Sequence, residues 1–231
     1  MWPRRVLSTS AFVLGAAALA ALIRRTSLRW GATPDEILLA LPGDELMPSA
    51  DLQSTRAVTV HAEPHDVWPW IAQLGQGRGG FYSYDRLENL LGCDLHSADV
   101  IRPEWQDLRV GDQVRLAPEM PLTVAVADPG HALVLTGGIM MGTVPSPWTF
   151  SWAFVLREAG DGSTRLLVRE RYGYTAWWAG LVAEPTELVS LVMTRKMLRG
   201  IQHRVQQARP VEPEPSLSNA VRRWVARPLR R

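Results

Sequence analysis

Residues 185–205, PTELVSLVMTRKMLRGIQHRV, set the frame for everything that precedes them. Val189, Met193, Met197, Ile201 and Val205 recur at every fourth position, and Leu188, Val192 and Leu198 widen the stripe. This spacing predicts a long amphipathic helix from Pro185 to about Val205, with one apolar face to bury. Such a helix needs a surface to lie on.

Working back from it, strand signals recur at short intervals. Thr164–Tyr172 alternates, and Asp161-Gly162 makes a hairpin turn into it from Thr149–Arg157. His131–Thr136, Leu122–Ala127 and Gln113–Ala117 come before, separated by Pro129-Gly130 and similar punctuation. Arg56–His61 is β-branched and alternating, and reads as a first strand. Between it and the others, Pro64 opens a helix with Val67, Ile71 and Leu74 on one face, which Pro69 should kink or split. A second short helix fits Tyr84–Leu91, with Leu87, Leu90 and Leu91 as its apolar face and Gly92 to end it.

The chain of 231 residues is long enough for one good core and short for two. With 46% hydrophobic and 21% charged residues its composition is globular. A net charge of +2, with arginines scattered through every segment, gives no basic stripe for nucleic acid. Cys93 is the single cysteine, so no intrachain disulfide can form.

Two terminal segments read as separate from the core. Val6–Ile23 is apolar apart from Ser8, Thr9 and Ser10, and as a helix would span roughly 27 Å, close to the ~30 Å of a bilayer core. Residues 1–25 are therefore expected to be a membrane anchor. A cleaved signal ending at Ala18-Leu19-Ala20 and a buried helix are the alternatives. Arg4 and Arg5 before the run against Arg24, Arg25 and Arg29 after it lean the domain to the cytoplasmic side. Thr33-Pro34-Asp35-Glu36 has the form of a capping box opening a short helix within a linker over 26–54. Residues 209–231 form a Pro/Glu-rich and then basic tail, whose arginines could meet an anionic membrane surface.

The order is strand, two helices, a run of antiparallel strands and a long helix. With phrases such as Val67-Trp68-Pro69-Trp70-Ile71-Ala72-Gln73-Leu74-Gly75, it resembles the SRPBCC helix-grip superfamily, which includes START lipid-transfer domains, Bet v 1-like proteins and polyketide cyclases. Gly79-Gly80-Phe81-Tyr82-Ser83-Tyr84-Asp85 and Leu87-Glu88-Asn89 look like a bacterial branch with no settled activity. The resemblance covers residues 55–208. It implies an α+β fold in which a curved antiparallel sheet wraps a long C-terminal helix, enclosing a hydrophobic cavity. It implies no reaction, because one fold hosts many functions.

Several motifs carry less than they suggest. Gly75-Gln76-Gly77-Arg78-Gly79-Gly80 matches a dinucleotide-binding pattern but follows a helix, where the phosphate logic fails, so it is expected to be a close-packed loop. Cys93, Asp94, His96 and Asp99 offer one cysteine and one histidine, too few for a structural zinc site. No metal or cofactor is expected.

The candidate ligand contacts are Trp70, Tyr82, Tyr84, Trp105, Trp152, Met193 and Met197, with Met140, Met141, Trp177 and Trp178 in apolar loops at the cavity mouth. Asp85 and Glu88, at i and i+3, could share acid–base work, although Glu88 could equally face solvent or pair with Arg78 or Arg102. Glu170 is the most specific candidate. Alternation puts it on the face of Leu166, Val168 and Tyr172, away from Arg165, Arg169 and Arg171, whose face should meet water. A carboxylate turned into the cavity needs a cation or several donors, and Arg195 or Lys196 could supply one. The expected function is a membrane-anchored binding or carrier protein for a lipid-like or polyketide-like molecule. The alternatives are a cyclase- or dehydratase-type enzyme using a cavity carboxylate, and a protein-interaction domain with a filled core.

Overall fold

The computed structural model describes residues 15–208 except 17, 91, 142 and 143. Six antiparallel strands form one open sheet in the order β1-β6-β5-β4-β3-β2. They are β1 (Leu52–Val60), β2 (Gln113–Ala117), β3 (Met120–Asp128), β4 (Ala132–Met141), β5 (Val144–Ala159) and β6 (Ser163–Tyr174). The helices are α1 (18–27), α2 (Pro34–Leu38), α3 (Pro64–Ala72), α4 (Asp85–Leu90) and α5 (Ala179–Ala208). This is a helix-grip architecture, with α5 as the gripped helix.

The long β5–β6 hairpin is the spine of the sheet, paired without interruption from Trp148↔Tyr174 to Ala159↔Ser163. Its turn is tied by Asp161, whose Oδ1 accepts from the Ser163 amide and hydroxyl at 3.0 and 2.6 Å. Register shifts at Arg115/Ala117, Val124/Val126 and Gly138/Met140 mark the outer strands. Such irregularities bend strands and increase twist, which is how an open sheet curls around a helix. The backbone of Gly137, Gly138, Met140 and Met141 continues the β4–β5 ladder, so the apolar loop expected at Met140 and Met141 is a strand extension.

Alternation divides the sheet into two buried faces. Leu166, Val168, Trp152, Phe154, Leu133 and Leu135 join α3 and α5 in the main core. On the opposite face, Leu167, Ala153, Val155, Val134 and Ala57 form a second core with Leu41 from the segment after α2. The arginine face of β6 is therefore covered, contrary to the expectation that it meets water. Arg169, 2% exposed, donates to the carbonyls of Glu36, Ile37 and Leu39 and to Asp44. Arg165 grips both Glu36 oxygens at 2.8 Å, and Arg171 bonds Asp44 and the Met47 carbonyl. The end of α2 has carbonyls without helical partners, and planar guanidinium forks satisfy several at once. The capping box at Thr33 and Glu36 is present as expected.

The N-terminus requires a correction. Residues 6–14 and Ala17 of the expected membrane span lie outside the described residues, and among the described ones no helix is long and apolar enough to cross a membrane. The reading of a membrane-anchored chain with a cytoplasmic domain is overturned, and the expected N-terminal hydrophobic helix over 6–23 is not supported as a span. Instead, α1 is fastened to the domain. Arg24 forms a two-pronged pair with Glu184 of α5, and the Leu28 and Trp30 carbonyls accept from the Thr55 and Ala57 amides along the free edge of β1. Pairing that edge removes a site for unwanted strand addition. Residues 209–231, with the basic tail, lie outside the described residues.

Three helices differ from expectation in ways that shape the site. α3 runs through Pro69 without splitting; the carbonyl that loses its partner is that of exposed His65 in the first turn. α4 is turned over: Leu87 and Leu90 are 50% and 81% exposed, while Glu88 is buried. α5 starts at Ala179, before the expected Pro185, and its first half is buried only through Ala179, Ala183 and Glu187. Met197, Leu198, Ile201 and Val205 are buried in the second half, whereas Leu188, Val189 and Val192 are exposed. Gly200 permits this packing, because a Cβ there would lie 2.4 Å from the Tyr82 carbonyl. Between the buried contacts of its two halves, α5 leaves a space over the sheet, along Thr186, Val189, Ser190 and Met193.

Candidate functional site

That space is a cavity of about 320 Å³. Its floor is Phe150, Trp152, Glu170 and Tyr172 on β5 and β6, and its roof is Ser190, Met193, Thr194 and Met197 on α5. Phe81, Glu88, Cys93 and Leu95 close one side, with Leu116 and Met120 beyond. Thr186 and Val189 line it and are also exposed, so it opens beside the first half of α5.

Glu170 points into this cavity and is held by four groups. The Ser190 hydroxyl donates at 2.6 and 2.8 Å, Thr194 at 3.0 Å and Tyr172 at 3.2 Å. Arg56 of β1, whose side chain is completely buried, lies 3.5 Å away. The same guanidinium bonds Glu187 of α5, and its Nε donates to the Ser27 carbonyl. Two carboxylates thus share one cation. Burial, with the Glu170 charge adding to it against the pull of Arg56, raises the Glu187 pKa to about 7. Burial first and Glu170 second push the Tyr172 phenol well above its ordinary range, so it acts as a donor.

Glu88 is the second carboxyl on the cavity wall. Its Oε2 is buried without a hydrogen-bond partner among the described residues, and burial, then the charge of Asp85, raises its pKa to about 7. The pairing considered with Arg78 or Arg102 is not formed: Arg78 donates to the carbonyls of Ala72 and Trp105. Burial and the neighbouring Glu88 raise the Cys93 thiol, which disfavours a thiolate nucleophile.

Of the residues singled out from sequence, Trp152, Glu170, Met193, Met197 and Glu88 come together around the cavity. Trp70, Tyr82, Tyr84, Asp85, Trp105, Trp177 and Trp178 stand elsewhere. Trp70 packs edge-on against Tyr82, whose hydroxyl donates to the Trp70 carbonyl at 3.1 Å. Tyr84 lies on the surface under Lys196, Trp105 is half-buried away from the cavity, and Trp177 and Trp178 are exposed at the start of α5. Met140 and Met141 pair with β5 through their backbones, and their side chains lie outside the described part. Asp85 is tied to Ser97, accepting from its amide and hydroxyl at 2.7 and 2.6 Å. Arg195 stacks over Trp30 and does not reach Glu170. In the loop over 75–80, a Cβ at Gly79 would meet the Gln73 carbonyl at 2.7 Å, as a close-packed loop requires.

Arg56, Ser190, Thr194 and Glu187 were missed. The alternation that turns Glu170 inward also puts Leu52, Ser54, Arg56, Val58 and Val60 on one face of β1. An arginine among them was a readable signal. On α5, Glu187, Ser190, Thr194 and Met197 share a helix face that the four-residue apolar stripe obscured.

No family model matches the chain, and no curated protein matches it in sequence. Solved structures do align with it. Protein Ms6760 of Mycobacterium smegmatis is 18% identical with a TM-score of 0.42, covering 68% of this chain and 93% of that one. Norcoclaurine synthase of Thalictrum flavum, in complex with dopamine and hydroxybenzaldehyde, is 14% identical with a TM-score of 0.44, covering 74% and 96%. Protein NE0264 of Nitrosomonas europaea is 12% identical with a TM-score of 0.43, covering 69% and 97%. Likeness this distant carries no argument about function. The fold assignment rests on the strand order and the gripped helix.

Proposed function

We propose that the chain is a binding or carrier protein for a small hydrophobic molecule, held between the sheet and the first half of α5 with Glu170 as its polar anchor. We place it in the bacterial branch of the helix-grip superfamily, on the phrase from Gly79 to Asp85 that seats Phe81 in the cavity wall. The binding unit is residues 55–208, and residues 26–54 cover the far side of its sheet.

The observation that carries this reading is the cavity itself, apolar over most of its wall and open beside Val189. Dry apolar cavities of about 150 Å³ take up benzene, so about 320 Å³ suits a body of roughly two rings. That favours a compact polyketide-like molecule over a long acyl chain. The gain on binding is about 25 cal/mol per Å² of ligand apolar surface buried, less ordering costs. An enzymatic reading of the cyclase or dehydratase kind is favoured by one feature: two carboxyls lining one cavity, of which Glu88 has its pKa raised by burial to about 7. An unfilled cavity of this size argues against a protein-interaction domain with a solid core.

Native mass spectrometry of gently purified protein, with uptake of an apolar fluorescent probe, tests the reading. Binding should be lost in Met193→Trp, where the larger side chain fills the space under α5. Equal probe uptake by this variant would show that the cavity is not the site.

A further inference from the structure

The walls of the cavity carry an unusual charge balance. Among the described residues two carboxyl groups line it, Glu88 and Glu170, and no arginine, lysine or histidine does. Glu170 has Arg56 behind it, but that guanidinium is shared with Glu187. Nothing comparable stands near Glu88. It is buried, with 9% exposure, and its Oε2 has no hydrogen-bond partner among the described residues.

The groups facing Glu88 do not meet this need. On α4, Asp85 repels it and is committed to Ser97, while Arg86 lies in a separate groove on the outer side. Beyond α4 comes the neutral Cys93 thiol, and Ser83 offers one hydroxyl. Across the cavity, β6 presents Glu170 and Tyr172, and α5 presents the hydroxyls of Thr186, Ser190 and Thr194. Lys196 of α5 is turned outward over the Tyr84 ring. The orientation of α4 sharpens the point, since it exposes Leu87 and Leu90 in order to bury this carboxyl. Folding alone would favour the reverse.

We infer that the molecule held here is a cationic amine with an apolar body of about two rings, its ammonium group paired with Glu88. This inference rests on the cavity being a ligand site. An ammonium supplies the missing donor and the missing charge together, and charge-assisted hydrogen bonds are the strong ones. An anionic ligand, such as a fatty acid, would bring a third carboxylate into a space of low dielectric that already holds two.

Three probes sharing one body separate the possibilities: naphthylethylamine, naphthylethanol and naphthylacetic acid, titrated calorimetrically against the full chain at neutral pH. The amine should bind about tenfold tighter than the alcohol, and the acid weakest of the three. Glu88→Gln should abolish the advantage of the amine over the alcohol. On the wild-type protein, which needs no variant to fold, amine affinity should rise several-fold from pH 6 to pH 8 as Glu88 ionises, with the alcohol flat. An amine that binds no tighter than the alcohol, or an amine affinity indifferent to pH, overturns the inference while alcohol binding upholds the cavity. Failure of all three probes removes the ligand site, and the inference with it.

Discussion

The Arg56 guanidinium and the Glu170 carboxylate lie 3.5 Å apart, on the inward faces of neighbouring strands, with side chains 0% and 3% exposed. Their strands are paired antiparallel, with Ser54 opposite Glu170 and Arg56 opposite Val168. Glu187 approaches the same guanidinium from α5. A charge placed this deep persists only when it is paired and hydrogen-bonded, and here one cation serves two acids.

Removing that cation is expected to be severe. Arg56→Met leaves two buried carboxylates facing each other and should lower stability by about 3–5 kcal/mol in urea unfolding at pH 7. Arg56→Met combined with Glu187→Leu should recover part of the loss. A single variant as stable as wild type would mean that the pairing contributes nothing.

Glu170→Gln keeps the shape and can still accept from Ser190 and Thr194. It should stay folded, with a stability change of about 1–2 kcal/mol, while binding of an apolar probe with a polar end weakens at least severalfold. Unaltered binding in a folded variant would remove Glu170 as an anchor.

Glu88 contributes to the pH dependence of stability, with the same sign as Glu187. Its folded pKa of about 7 lies above the unfolded value of 4.5, so the native state holds the proton more tightly. Stability is therefore fullest below pH 4.5 as far as this group is concerned, and falls as pH rises toward and through 7. Discounted for partial solvation, the loss is about 1–2 kcal/mol. Glu88→Gln should be more stable than wild type at pH 8 and should make the fall shallower, with the share due to Glu187 remaining. A melting temperature that rises from pH 6 to pH 8 in wild type and variant alike would contradict this.

Arg169 bonds the carbonyls that end α2 together with Asp44. Arg169→Lys keeps the charge but loses the fork. It should cost about 2–3 kcal/mol and expose the segment over 31–50 to limited proteolysis. Cleavage no faster than in wild type would show that the second core alone holds this segment.

Trp177 is 94% exposed and Trp178 is half as exposed or less. Replacing both with serine should change stability by no more than about 0.5 kcal/mol and leave probe uptake intact. Loss of uptake would move the cavity entrance to the start of α5.

The strand order of the hairpins, the long amphipathic helix and the inward face of Glu170 were legible because each depends on a local period. Residues two apart on a strand, or three and four apart on a helix, must share a face whatever surrounds them. The capping box at Thr33 and the Asp161-Gly162 turn were equally local. The tertiary structure alone decided that α4 buries Glu88 and exposes Leu87, because six residues make too weak a stripe to overrule the packing around them. It also decided that the linker over 26–54 covers the arginines of β6, and that Arg56 and Glu187, rather than Arg195 or Lys196, stand beside Glu170. Arg56 is far from Glu170 in the chain and meets it only through the pairing of β1 with β6, and Glu187 reaches the same guanidinium because α5 packs across that pair. Charge neutralisation in a core is a property of that pairing, which no local period encodes.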